Sequence, residues 1–420
     1  MKPLWINLAI LIFASLLSVP MLRADDDGRQ FPKNATFTTL ITTPRSIEGL
    51  TGDHAGNLYV GGSGAAPCPI WKINLQNPSL TVIGNIPVAL AATCAFSGIA
   101  LDALNNLYQA DGTAGRIYTF TPNAGSPPPD ATIFASGVPG TNGLAFDEDG
   151  NLWTGDGVTG LGRVWKITGA GANCAPPAPV NCVEVFRIPP MRNSTALGGS
   201  VSGDGVGRQV RDFPPGTSTI IVPAGTTLPA TITPAGGQDL VANGIAFDRK
   251  GTMFIIDTAR GALWKVEFDR QGNLKSPTGC DSTFTSNTLC LSNVFVAHPI
   301  LEGGDGIALD REGNIWVDAN ERNAVAVVTD DGKVREIFRN PVNAAGLRNS
   351  ADTAAGNTRI LEFPTSPFLS GKVFCTSQAD GDRRDNSPRS AGEINAALGV
   401  GKISCMDQEL KIPGLPLPVR

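Results

Sequence analysis

The chain has 420 residues, of which 49 are glycine and 32 proline; apolar residues make up 41% and charged residues only 17%. That balance excludes a helical bundle, a coiled coil and a charge-rich disordered chain, and it matches an all-β protein of many short strands and tight turns. A formal charge of -5 offers no basic face for nucleic acid, and two histidines in the whole chain give no basis for a histidine-rich zinc site.

Residues 1–24 read as a secretory signal peptide: Lys2, a mostly apolar run from Leu4 to Val19, Pro20, and a cleavage region ending at Ala24. The run is short for a membrane span and is broken by Asn7, Ser15 and Ser18. Left uncleaved, the same segment is a membrane anchor. Cleavage instead predicts a secreted or periplasmic protein without stable membrane association, in a compartment where the eight cysteines oxidise. None of them forms a CxxC pair, which removes redox and zinc-ribbon readings. Loop closure favours near neighbours, so Cys174 is expected to pair with Cys182 and Cys280 with Cys290. Cys68 with Cys94 and Cys375 with Cys405 follow by elimination.

After the leader comes a strand-like segment, TFTTLITTP, and then the first of six related copies. They begin at Glu48 (EGLTGDHAGNLYVGG), Ser97 (SGIALDALNNLYQADG), Asn142 (NGLAFDEDGNLWTGDG), Asn243 (NGIAFDRKGTMFIIDT) and Asp305 (DGIALDREGNIWVDAN), with a faint sixth after Asn357. Each reads as strand, tight turn, strand, loop, strand. The turns DEDGN, DREGN and DRKGT carry the Asp and Gly that such hairpins require. Alternation sets Gly143 and Ala145 on one face and Leu144 and Phe146 on the other, so a small-residue face is ready to stack closely on a neighbour. A further strand precedes each copy, as in ATIFASGVP and KVREIFRNP. Four-stranded units repeated about an axis predict a single six-bladed β-propeller over residues 25–420. The strand TFTTLITTP is expected to complete the last blade. A Pro-, Gly- and Thr-rich insertion at 191–239 has no repeat signature and is expected at the channel mouth, on the end where the copies open.

The residues opening the copies are Glu48, Ser97, Asn142, Asn243, Asp305 and, in the sixth, Asn357 or a neighbour. Asn, Glu and Asp are poor strand formers, so propensity does not explain them. With EGL, NGLAFD, NGIAFD and DGIALD, the chain resembles the senescence-marker-protein/gluconolactonase/luciferin-regenerating-enzyme family. In that family, and in the similar diisopropyl fluorophosphatase and paraoxonase hydrolases, six blades surround a divalent metal held by Glu, Asn, Asn and Asp. The resemblance spans residues 48–404 apart from the insertion, and it implies that Glu48, Asn142, Asn243 and Asp305 are the metal ligands. Two carboxylates and two amide oxygens are hard donors that suit calcium first, with magnesium, manganese or zinc as alternatives. The plain alternative is that the openers only cap their strands and hydrogen-bond across the channel.

The function this implies is metal-dependent hydrolysis of a lactone or similar ester, with Asp305 as general base or nucleophile, in a protein expected to be a monomer. The competing readings are a non-catalytic binding propeller with a structural metal and a strictosidine-synthase-like propeller, whose members do not keep this ligand set. Several other residues are weaker candidates. His298 ends a fourth strand on the site end and is a potential proton relay; His54 sits in a turn at the far end. Ser97 lacks a GxSxG elbow and a His–Asp partner. Arg260, Arg322, Arg383 and Arg384 fall in site-end loops where an anionic substrate would meet them. Trp71, Trp165 and Trp264 recur at one third-strand position and read as blade packing.

Overall fold

The structure is a computed structural model and describes residues 31–123, 125, 127–189, 242–282, 284–301, 303–320, 323–340, 361–379 and 401–417. The expected leader (1–24), the insertion (191–239), Asn357, Arg322, Arg383 and Arg384 lie outside the described residues.

The repeat takes its shape from one turn aspartate in each of the first five copies. Asp53 Oδ1 accepts the backbone N–H groups of Ala55 and Asn57, which folds the chain back within four residues. Asp102, Asp147, Asp248 and Asp310 do the same in their copies. Three residues after the aspartate the backbone enters the left-handed region, with Gly150 at φ +82° and Asn105 at φ +64°. The second carboxylate oxygen then accepts a donor from the outgoing strand. The Tyr59 hydroxyl lies 2.7 Å from Asp53 Oδ2, and the Trp153 and Trp316 indole N–H groups donate to Asp147 and Asp310 at 2.8 and 3.3 Å.

These hairpins extend into six four-stranded antiparallel sheets. From the inside outward the first holds Thr51–Gly52, Asn57–Gly61, Cys68–Asn74 and Thr81–Ile86. The second holds Phe96–Leu101, Leu107–Asp111, Arg116–Phe120 and Thr132–Ser136, with the short Ala172–Asn173 added parallel at its edge. The third comprises Thr141–Phe146, Leu152–Asp156, Arg163–Ile167 and Cys182–Arg187. The fourth comprises Ala242–Phe247, Met253–Asp257, Ala262–Val266 and Val294–Ala297. The fifth comprises Gly304–Leu309, Ile315–Ala319, Ala324–Val328 and Val334–Arg339. The sixth runs Pro364–Ser370, Val373–Gln378, Gly401–Met406 and Phe37–Thr43. Phe37 faces Met406 in that last pairing and Thr43 faces Gly401. The first strands of successive sheets adjoin one another, and that of the sixth adjoins that of the first. The protein is therefore an all-β, six-bladed propeller.

Hydrophobic side chains fill the gaps between blades. Trp153 of the third sheet packs against Phe247 and Phe268 of the fourth repeat, with ring centroids 6.0 and 5.1 Å apart. Trp71, Trp165 and Trp264 are buried at their shared third-strand position. All four expected disulfides form: Cys68–Cys94, Cys174–Cys182, Cys280–Cys290 and Cys375–Cys405. The last joins directly opposed residues of neighbouring strands in the sixth sheet.

Candidate functional site

The openers of the copies meet in a ring, and the glycine after each opener explains how. A Cβ on Gly49 would fall 2.4 Å from the Ser97 carbonyl oxygen, and one on Gly98 would fall 2.3 Å from that of Asn142. Gly143 stands in the same relation to Asn243 at 2.4 Å, Gly244 to Asp305 at 2.6 Å and Gly306 to Thr365 at 2.4 Å. Only hydrogen fits there, so the inner strands approach backbone to backbone. Between the sixth and first blades the device changes. The Glu48 carbonyl accepts the Thr365 hydroxyl at 2.7 Å and also the Ser377 hydroxyl. Thr365 therefore occupies the sixth opening position.

Glu48 is half-buried, while Asn142, Asn243 and Asp305 are buried. The Asn142 side chain lies over Gly157, where a Cβ would come within 2.5 Å of Nδ2. Asn243 Nδ2 donates to Thr258 Oγ1 at 3.1 Å, and Thr258 donates to the Gly304 carbonyl at 2.5 Å. Asn320 Nδ2 donates to Asp305 Oδ2 at 2.8 Å. Gly157, Thr258 and Asn320 hold one position, immediately beyond the residue that pairs with the opener's predecessor (Thr141 with Asp156, Ala242 with Asp257, Gly304 with Ala319). Sequence reasoning missed Thr258 and Asn320. Their signal was the residue at that position in the aligned copies, where Gly, Thr and Asn replace one another.

The weaker candidates sort out by their partners. The Ser97 hydroxyl donates to the Thr141 carbonyl at 2.8 Å, so its proton serves the ring and not a nucleophile. His298 sits beyond the outer strand of the fourth blade, and its Nδ1 accepts the Ile300 N–H at 3.1 Å. His54 is exposed in the first Asp–Gly turn. Arg260 is not available to a substrate: its side chain is fully buried, with Nη1 2.8 Å from Asp257 Oδ2 and Nη2 2.9 Å from the Pro189 carbonyl. Burial pushes the Asp257 carboxyl up, and the Arg260 guanidinium and the Trp264 indole pull it back. In the third blade Arg163 pairs with Asp156 at 2.9 Å.

A second buried carboxylate stands behind Asp305. Asp318 is fully buried, accepts the Thr376 hydroxyl at 2.5 Å on Oδ2, and has no partner on Oδ1 among the described residues. Burial pushes it well above the usual carboxylate range, and the nearby Asp305 adds to that shift. The Asn320 side-chain oxygen, Oδ1, is likewise buried without a donor among the described residues. The surroundings of Asp305 are thus rich in oxygen acceptors, which is the electrostatic setting a divalent ion requires. Among the described residues no three His, Cys, Asp or Glu side chains form a metal cluster. The four expected ligands include only two residues of those types, the other donors being amides, and their hard oxygen chemistry fits calcium.

The model of the SMP-30/gluconolactonase/LRE-like region matches residues 225–346, the stretch that carries Asn243 and Asp305. The chain resembles this family. Among solved structures, luciferin-regenerating enzyme is similar with a TM-score of 0.51 at 14% identity, over 91% of this chain and 98% of its own. The calcium-binding protein regucalcin from Agrobacterium tumefaciens is similar with a TM-score of 0.50 at 17% identity, over 93% of this chain and 98% of its own. At those identities the likeness is one of fold. No curated protein matches the chain.

Proposed function

We propose that the protein is a divalent-metal-dependent hydrolase of a lactone or similar ester, working at the channel mouth where Glu48, Asn142, Asn243 and Asp305 open their blades. One observation carries the reading: these four residues each open a repeat, three on inner strands and Glu48 just before one, and their backbones adjoin around a single ring. The family match over residues 225–346 supports the lactonase class. Calcium, when bound, supplies polarisation of the scissile carbonyl. Glu48 and Asp305 provide the negative charge that holds such an ion, and Asn142 and Asn243 add neutral oxygens, leaving room for water and substrate. Asp305 takes the proton from the attacking water or attacks as the nucleophile, with Asn320 holding one of its oxygens. The four disulfides are compatible with export, and the same reading makes the mature protein a secreted or periplasmic monomer.

The test is turnover of a small lactone panel with and without calcium, in the parent and in Glu48→Gln and Asp305→Asn. Both changes keep an oxygen donor and remove one charge, so both weaken metal affinity. Excess calcium restores much of the Glu48→Gln activity, whereas Asp305→Asn stays slow by about a hundredfold or more. Normal turnover by metal-saturated Asp305→Asn refutes the base assignment. If neither change alters metal content, the four-donor site is wrong and a non-catalytic binding propeller takes its place.

A further inference from the structure

Thr258 and Asn320 stand directly behind two of the four openers, and both are buried at 1% exposure. A hydroxyl carries one proton. The Gly304 carbonyl can only accept, so at 2.5 Å it takes the Thr258 proton. Thr258 Oγ1 is then obliged to act as an acceptor toward Asn243, 3.1 Å away. The Asn243 amide therefore has one orientation: the nitrogen faces Thr258 and the oxygen faces away from it. Turned over, the amide would set two lone pairs against each other in a buried place. Gly304 immediately precedes Asp305, so the same hydroxyl ties the blade of Asn243 to the strand that carries the carboxylate. On the far side Asn320 fixes Asp305 through Oδ2 at 2.8 Å. Its amide donor is neutral and leaves the carboxylate charge intact, where a lysine or arginine would cancel the charge a cation needs. The third blade has only Gly157 at this place, which gives Asn142 room and offers it no side chain.

We propose that Thr258 and Asn320 are positioning residues, which present the Asn243 oxygen and the Asp305 carboxylate to a divalent cation at the channel mouth. The inference rests on the proposed metal-dependent function and deepens it. Its test needs no substrate: calcium is titrated by calorimetry into the disulfide-bonded parent protein and into Thr258→Val, Thr258→Ser and Asn320→Ala. Thr258→Val keeps the shape and removes the hydroxyl, and Asn320→Ala removes the donor. Each weakens calcium binding by about tenfold to a hundredfold, the usual effect of losing a partner that orients a ligand. Thr258→Ser keeps the hydroxyl and stays within about threefold of the parent. A folded Thr258→Val with parental affinity overturns the proposal, as does a Thr258→Ser that falls as far as Thr258→Val. If Thr258→Val does not fold, Thr258→Ala is titrated in its place, and parental affinity there overturns the proposal equally. A parent protein that binds neither calcium, magnesium, manganese nor zinc sinks the metal-dependent function, and this inference with it.

Discussion

Gly143→Ala puts the ring of inner strands to the sharpest test. The new Cβ would meet three backbone atoms of the fourth blade: the Asn243 oxygen at 2.4 Å, the Gly244 Cα at 2.9 Å and the Ile245 nitrogen at 2.9 Å. Real Cβ atoms essentially never come within 3.0 Å, so Thr141–Phe146 and Ala242–Phe247 must part by roughly half an ångström or more. No side chain can rotate to relieve the contact. Overpacking of this kind costs about 1–3 kcal/mol, and three backbone contacts place Gly143→Ala toward the upper end. The lower entropy of unfolded alanine returns at most about 1 kcal/mol. A net loss of about 2 kcal/mol is expected in guanidinium unfolding followed by circular dichroism at 25 °C. Gly169→Ala is the control, since its nearest neighbour is the flexible Asn181 amide at 3.6 Å. It should fall within about 0.5 kcal/mol of the parent. Equal stabilities for the two variants would refute the close-packed ring. Because the displaced strand carries Asn243, calcium affinity should also drop in Gly143→Ala and hold in Gly169→Ala.

Two further outcomes are expected. Arg260→Met strands the Asp257 carboxylate in the interior and should cost about 3–5 kcal/mol by denaturant unfolding, with the double change Asp257→Asn, Arg260→Met recovering a good part. A cost under about 1 kcal/mol would show that the pair is not buried. Burial raises the Asp318 pKa in the folded protein, so its contribution to stability is fully present below the unfolded carboxylate pKa of about 3.9 and is lost as pH rises toward the raised folded value. Asp318→Asn is neutral throughout, so in calcium-free buffer its stability should decline less than the parent's from about pH 4 upward. Parallel profiles would exclude a titrating Asp318.

The repeat was legible because its chemistry is local. In the first, third and fifth copies the aspartate, its left-handed glycine and its outgoing Tyr or Trp lie within seven consecutive residues, so one copy displays the whole device. The openers were legible for the same reason, each lying next to the glycine that brings it into the ring. What the sequence did not show depends on neighbours from other blades. Thr258 acquires its role only because Gly304, 46 residues on, supplies an acceptor. Arg260 reads as a loop cation, and becomes an interior one when Asp257 and the Pro189 carbonyl enclose its guanidinium. The sixth opener escaped because its blade uses hydroxyls instead of glycine to reach the next one. Thr365 and Ser377 bind the Glu48 carbonyl from residues more than 300 positions away, and no repeat pattern encodes such a contact.

The tryptophans that close these turns and gaps also give the molecule its own optical gauge. Trp5 apart, every indole is at most 4% exposed, and they are distributed over the first, third, fourth and fifth blades. Three of them donate to a carboxylate: Trp153 and Trp316 at their hairpin turns, and Trp264 to Asp257. Water reaching any of these blades breaks an indole hydrogen bond or uncovers a ring, which moves the emission to longer wavelength. A propeller that opens blade by blade would give a staircase, and one that yields as a unit a single step. An unlabelled fluorescence trace therefore reads four of the six blades through their own indoles, and the sixth through Trp316, whose ring lies 5.3 Å from that of Phe374.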